Sequence, residues 1–145
     1  MNKLLIQNAT IANSQEIIQG NLLVEDGKIK AFGPQVADSA AEILDATGKV
    51  LMPGGVDPHS HFDLDVGFTR ASDDFYTGTV AAACGGTTTI IDHMAFGPAG
   101  CRLTHQVEVY HRLAEKAVVD YGFHGVTQHM DAQVLDDMAL RRDEQ

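Results

Sequence analysis

The chain changes texture at residue 50, and that change limits its possible folds more than any other feature. Before it, short β-patterned runs alternate with turns. Residues 4–11 read as one short strand, and residues 21–25 and 28–32 flank Asp26-Gly27. That dipeptide is a two-residue hairpin signal, because a type I′ turn needs positive φ at both central positions. Residues 42–45 read as another short strand and residues 46–49 as a turn, with no helical pattern before residue 70.

From Val50 onward strands and helices alternate. Ser72, Asp73 and Asp74 offer an N-cap with acidic residues for the first turn of a helix running to Cys84. Gly85-Gly86 stops that helix, and one of the two suits the left-handed position. A phosphate cradle is the poorer reading, because a strand and not a helix follows: residues 87–92 are β-branched. Leu103, Val107, Tyr110, Leu113, Ala114 and Ala117 make a helical stripe, residues 121–127 a third strand, and residues 132–142 a third helix. This is the pattern of an α/β fold with a parallel sheet. Three such units cannot close an eight-stranded barrel, which takes about 250 residues. The alternatives are a small open sheet or a chain that stops partway through a barrel. Residues 140–145 read as an interrupted helix, so the expectation is truncation.

Composition removes several functions. Ten Lys and Arg stand against twenty Asp and Glu, a formal net charge of -10, which disfavours nucleic acid and anionic membranes. No apolar run reaches the roughly 20 residues that span a bilayer, and the N-terminal run is too short for a signal peptide. Cys84 and Cys101 do not make a disulfide framework. The expectation is a cytoplasmic protein with reduced thiols, Cys84 being a small buried residue.

The run over residues 50–62 ends in His59-Ser60-His61-Phe62. Side chains two apart on an extended strand share a face, so both imidazoles can reach one metal ion. Two strand-end histidines satisfied by hydrogen bonds would look the same, so the spacing is weak evidence by itself. The neighbouring motifs add to it. Asp45-Ala46-x-Gly48 precedes Pro53-Gly54-Gly55-Val56-Asp57-x-His59-x-His61-Phe62. Asp73-Asp74-Phe75-x-x-Gly78-Thr79-x-Ala81-Ala82-x-x-Gly85-Gly86-Thr87-Thr88 and Ile91-Asp92 follow. In this order they resemble the dihydropyrimidinases, also called hydantoinases, of the amidohydrolase superfamily, over the whole chain.

The resemblance implies the N-terminal part of a (β/α)8 TIM-type metallo-hydrolase barrel over residues 51–145, preceded over residues 1–50 by strands of a small composite β-sandwich. It implies hydrolysis of the cyclic amide C–N bond of dihydropyrimidines or hydantoins, as in pyrimidine degradation, by a centre of two zinc ions in a homotetramer. His59 and His61 match the motif that ligates the more buried metal. The bridging lysine, the remaining ligands and the general base find no match among these 145 residues, so the chain alone is expected to be inactive. Dihydroorotases carry an arginine two residues after the second histidine, where this chain has Asp63. A carboxylate there would repel an acidic substrate, so a small neutral cyclic amide or ureide is expected. The loop after the motif helps select the ring substituent in hydantoinases, which makes Phe62, Leu64, Val66 and Phe68 candidates for the pocket wall, with ordinary loop packing as the other reading.

Asp57 and Asp92 are candidates for orienting a ligand, with a structural hydrogen bond as the competing role. His93 and His129, at strand ends, receive the same two readings. His105, His111 and His124 fall on presumed helix or mid-strand positions and are set aside as ligands. A different functional class stays open: the dihydropyrimidinase-related proteins share the fold and act in assembly and signalling without catalysis. A pseudo-enzyme remnant is a third reading.

Overall fold

A computed structural model describes residues 2–127 and 129–140. The chain divides into two compact units, Met1–Pro53 and Gly54–Gln145.

The first unit is a five-stranded sheet built on β1 (Lys3–Ala12). β2 (Ile17–Glu25) pairs antiparallel with β1, and β3 (Lys28–Gly33) antiparallel with β2. The hairpin between them turns on Asp26 (φ 49°) and Gly27 (φ 77°), both left-handed, as a type I′ turn demands. β4 (Glu42–Asp45) and β5 (Val50–Leu51) both pair parallel with β1. Ala9, Ile11, Leu22 and Ala46 form the buried centre. The apolar run over residues 50–62 is thus not one strand: Val50 and Leu51 pair with Thr10 and Ile11, and the unit boundary falls after Pro53 rather than after residue 50.

The second unit carries a three-stranded parallel sheet, β6 (Gly55–Ser60), β7 (Thr87–His93) and β8 (Asp120–His124), in the order β6-β7-β8. Helices α1 (Phe75–Cys84) and α2 (Leu103–Ala114) make the two crossovers, and α3 (Ala132–Leu140) follows β8. Parallel neighbours cannot be joined by a tight turn, so a helix must carry the chain back each time. Asp74 is the N-cap of α1: its side chain accepts from Thr77 N at 2.8 Å, and Thr77 Oγ1 completes a capping box. The acidic residues therefore precede the helix instead of filling its first turn. Gly86 takes the left-handed position after it (φ 84°). The core joins Phe75, Ile90, Met94, Tyr110 and Ala114. Phe75 meets Phe62, Tyr110 and Phe123 edge-on. Cys84 is exposed, contrary to the sequence reading. It lies nine residues beyond Phe75, half a revolution from the face that α1 buries.

β8 ends at His124, three residues before the sequence pattern does. Part of the third predicted helix, residues 141 and 142, and the interrupted helix read over residues 140–145 fall largely outside the described residues, as does Gln128. Among the described residues no helix is long and apolar enough to cross a membrane.

Candidate metal centre

β6 is irregular where the chemistry lies. Asp57 aligns with Ile90 and Ser60 with Asp92, so three steps along β6 match two along β7. The surplus residue makes a bulge around Pro58 and His59, and Pro58 has no N–H to give to a ladder. The His59 N–H is satisfied by Asp57 Oδ1 at 3.0 Å. That is what Asp57 does here: it caps the bulge backbone.

The bulge brings His59 Nε2 to 3.1 Å from His61 Nε2. Two imidazoles at that distance share one hydrogen bond when their tautomers are complementary. The same placement fits a shared cation. Two nitrogens bound to zinc at about 2.0–2.1 Å with near-tetrahedral geometry lie about 3.3 Å apart. Two further histidines close the group. The His93 ring centroid lies 4.0 Å from that of His59 and 5.3 Å from that of His61, and the His124 centroid 4.5 Å from that of His93. His124 Nε2 stands 3.0 Å from the Pro58 carbonyl, reaching from β8 across β7. Burial, with the neighbouring His59, His124 and His61, holds the His93 imidazole below its ordinary range and therefore neutral. Among the described residues no three His, Cys, Asp or Glu side chains converge as a metal-holding group, so His59 and His61 are a two-donor pair.

Asp92 is wholly buried. Its Oδ2 accepts from Ser60 Oγ at 3.0 Å and from Phe62 N at 2.8 Å, the residues on either side of His61. Its Oδ1 has no partner among the described residues. Burial raises the carboxyl above its usual range, while the two hydrogen bonds and His61 pull the other way. Asp92 thus fixes the strand end from which His61 projects without touching the imidazoles as a ligand would.

A cleft of about 620 Å³ opens beside His61 and His93, walled by Leu64, Val66, Phe96 and Val126 among others. Two of the four residues expected on its wall are elsewhere. Phe62 points into the core, its ring 5.7 Å from that of Phe75, and Phe68 is 91% exposed at the loop tip. A large ring next to the strand end gains more from the gap over Gly78 than from solvent. Asp63 does not present its charge to the cleft either. Its buried carboxylate meets Arg70 Nη2 at 2.9 Å, Lys116 Nζ at 3.6 Å and the Phe75 N–H at 3.3 Å. The expected repulsion of an acidic substrate therefore has no basis in this geometry: two cations and a helix N-terminus neutralise the group.

His124, read from the sequence as mid-strand, is the last residue of β8. His93 and His124 are register partners that end adjacent parallel strands. The available signal was a histidine at or next to the end of each of three successive strands. His129 stands apart, paired with Asp131 at 3.3 Å.

No family model matches the chain. It is 51% identical over 144 residues to D-phenylhydantoinases of Escherichia coli O9:H4 (strain HS) and of Shigella boydii serotype 4 (strain Sb227). Each alignment covers 98% of this chain and 31% of the relative, so the chain spans under a third of the length of the curated relatives it matches. A crystal structure of D-hydantoinase superposes with a TM-score of 0.91 at 40% identity, over 99% of this chain and 31% of that one. A dihydropyrimidinase from Brevibacillus agri NCHU1002 gives 0.91 at 39% identity, over 98% and 31%. A dihydroorotase at 19% identity shares the fold alone, with a TM-score of 0.62 over 99% of this chain and 41% of the other.

Proposed function

Because this chain belongs to the hydantoinase and dihydropyrimidinase family, we propose that it supplies the opening strands of a metal-dependent cyclic amidohydrolase. The reaction is hydrolysis of the C–N bond of a hydantoin or dihydropyrimidine ring, a step of pyrimidine degradation. The observation that carries this reading is the His59–His61 pair at 3.1 Å, set at a parallel-strand end beside a cleft with room for a substituted ring. Strand ends of this kind are where α/β-barrel enzymes place their chemistry.

In this reading residues 54–145 begin a (β/α)8 barrel and the first unit contributes strands to a small β-sandwich. His59 and His61 would hold one cation of a two-zinc centre, in a cytoplasmic homotetramer. A divalent cation there would activate water and polarise the scissile carbonyl. The chain's own residues prepare the place. Asp92 and Asp57 hold the backbone on which the two imidazoles stand, and neutral His93 packs against them without adding charge. Leu64 and Val66 give a ring substituent an apolar wall. A neutral ring fits that wall and the absence of a cation at position 63, not a repulsion by Asp63. The intact histidine pair favours catalysis over the assembly and signalling role of the non-catalytic relatives.

The test is ring opening of dihydrouracil and 5-phenylhydantoin by the whole protein that contains this chain, with zinc content measured alongside. His61→Ala is expected to lower both zinc content and turnover by orders of magnitude. Full turnover in that variant, or none in the zinc-loaded parent, would overturn the assignment.

A further inference from the structure

The segment between His61 and α1 is a small hairpin. Asp65 and Arg70 form an isolated antiparallel bridge, Val66 N donates to Thr69 O at 3.0 Å, and Ala71 N donates to Leu64 O at 2.8 Å. One arm of it, through Leu64 and Val66, faces the cleft. A two-stranded hairpin of this size is not stable by itself in water, so something must hold it. Asp63 stands at its root, where its backbone N donates to Asp73 O at 2.9 Å. Its φ of 52° is left-handed, a conformation that costs a non-glycine residue energy and persists only when its surroundings impose it. The surroundings are electrostatic. The carboxylate joins Arg70 in the hairpin, Lys116 beyond α2 and the first N–H of α1, and Lys116 pairs in turn with Asp74 at 2.7 Å.

We propose that Asp63 is a positioning residue that pins this hairpin against α1 and Lys116, and thereby sets the cleft wall formed by Leu64 and Val66. The substituent selectivity of the cleft depends on it, a consequence that rests on the function proposed above; the pinning itself does not. The carboxylate works at a distance: it touches the hairpin, the first turn of α1 and Lys116, but not the imidazoles.

Trypsin reads the pinning directly, because Arg70 is itself a cleavage site in the hairpin. Asp63→Asn keeps the shape and tolerates the left-handed backbone, so it isolates the charge. Its cleavage after Arg70 is expected to rise about tenfold, the factor that loss of a charge-assisted hydrogen bond corresponds to. Cleavage after Arg102 and Arg112 should stay unchanged. Lys116→Gln, which leaves the Arg70 pair in place, should give a smaller rise at the same bond. Unchanged cleavage after Arg70 in either folded variant would overturn the proposal. So would an equal rise at all three arginines, which would assign Asp63 to general stability. In the whole zinc-loaded protein, Asp63→Asn should change the ratio of kcat/KM for 5-phenylhydantoin over unsubstituted hydantoin. An unchanged ratio beside a loosened hairpin would overturn the selectivity part. Absence of turnover in the parent sinks the proposed function and leaves the trypsin result to decide the pinning.

Discussion

The ring of Phe62 fills the space above Gly78: a Cβ built on that glycine would lie 2.1 Å from Phe62 Cε1. The contact couples α1 to the residue that follows His61. Alanine at position 78 would gain up to about 1 kcal/mol of helix propensity but force the ring against Phe75, an overpacking cost of about 1–3 kcal/mol. Gly78→Ala should therefore destabilise the second unit in urea unfolding. Adding Phe62→Leu should restore part of the loss, because the two changes share one space.

Removing the Asp92 side chain strands two donors at once, Ser60 Oγ and Phe62 N. An unsatisfied buried donor costs about 1–3 kcal/mol. Asp92→Ala should lower stability by at least that amount and speed hydrogen exchange at the Phe62 amide. Asp92→Asn keeps an acceptor and should lose less. Equal losses in the two variants would show that packing, and not acceptance, is what Asp92 provides.

The Asp74 carboxyl is lowered to about 2 by its hydrogen bond to Lys116, with the Thr77 backbone N–H adding to it. A depressed folded value means the contribution is present above the ordinary carboxylate range and is lost as pH falls through about 2. Asn is an equally good N-cap, so Asp74→Asn removes the ion pair and keeps the cap. The parent should melt at the higher temperature at neutral pH, and the two melting curves should converge as pH falls from about 4 to about 2. The pair is exposed, so about 1 M salt should shrink the difference at every pH. A gap that persists at pH 2 would contradict the assignment.

Much of the fold was readable because local chemistry and global structure agree. Asp26-Gly27 turns a hairpin by the φ values such a pair favours. Asp74 caps α1, Gly86 follows it in the left-handed conformation, and the β-branched run 87–92 is a parallel strand, buried at Ile90 and Asp92. What was not readable depends on distance in sequence. The inward turn of Phe62 follows from a gap sixteen residues away at Gly78. The neutralisation of Asp63 comes from Arg70 in the folded-back hairpin, the start of α1 and Lys116 beyond α2, which only the fold brings together. Cys84 was misjudged because its composition suggested burial while its helical phase put it opposite Phe75. His124 joined the imidazole group because β8 stops at that residue, a boundary that strand propensity over residues 121–127 does not mark.

The bulge in β6 makes the spacing of this strand as consequential as its composition. With three steps between Asp57 and Ser60 set against two on β7, the strand changes phase across Pro58 and His59, just before His61. A deletion of one residue there would remove the change of phase and turn every following side chain to the opposite face. His61 would then point where Ser60 or Phe62 now points, even with both histidines still encoded. A single insertion or deletion along residues 57–60 would therefore displace His61 even with every site residue retained, and the reading frame of side chains along this strand is itself part of the site.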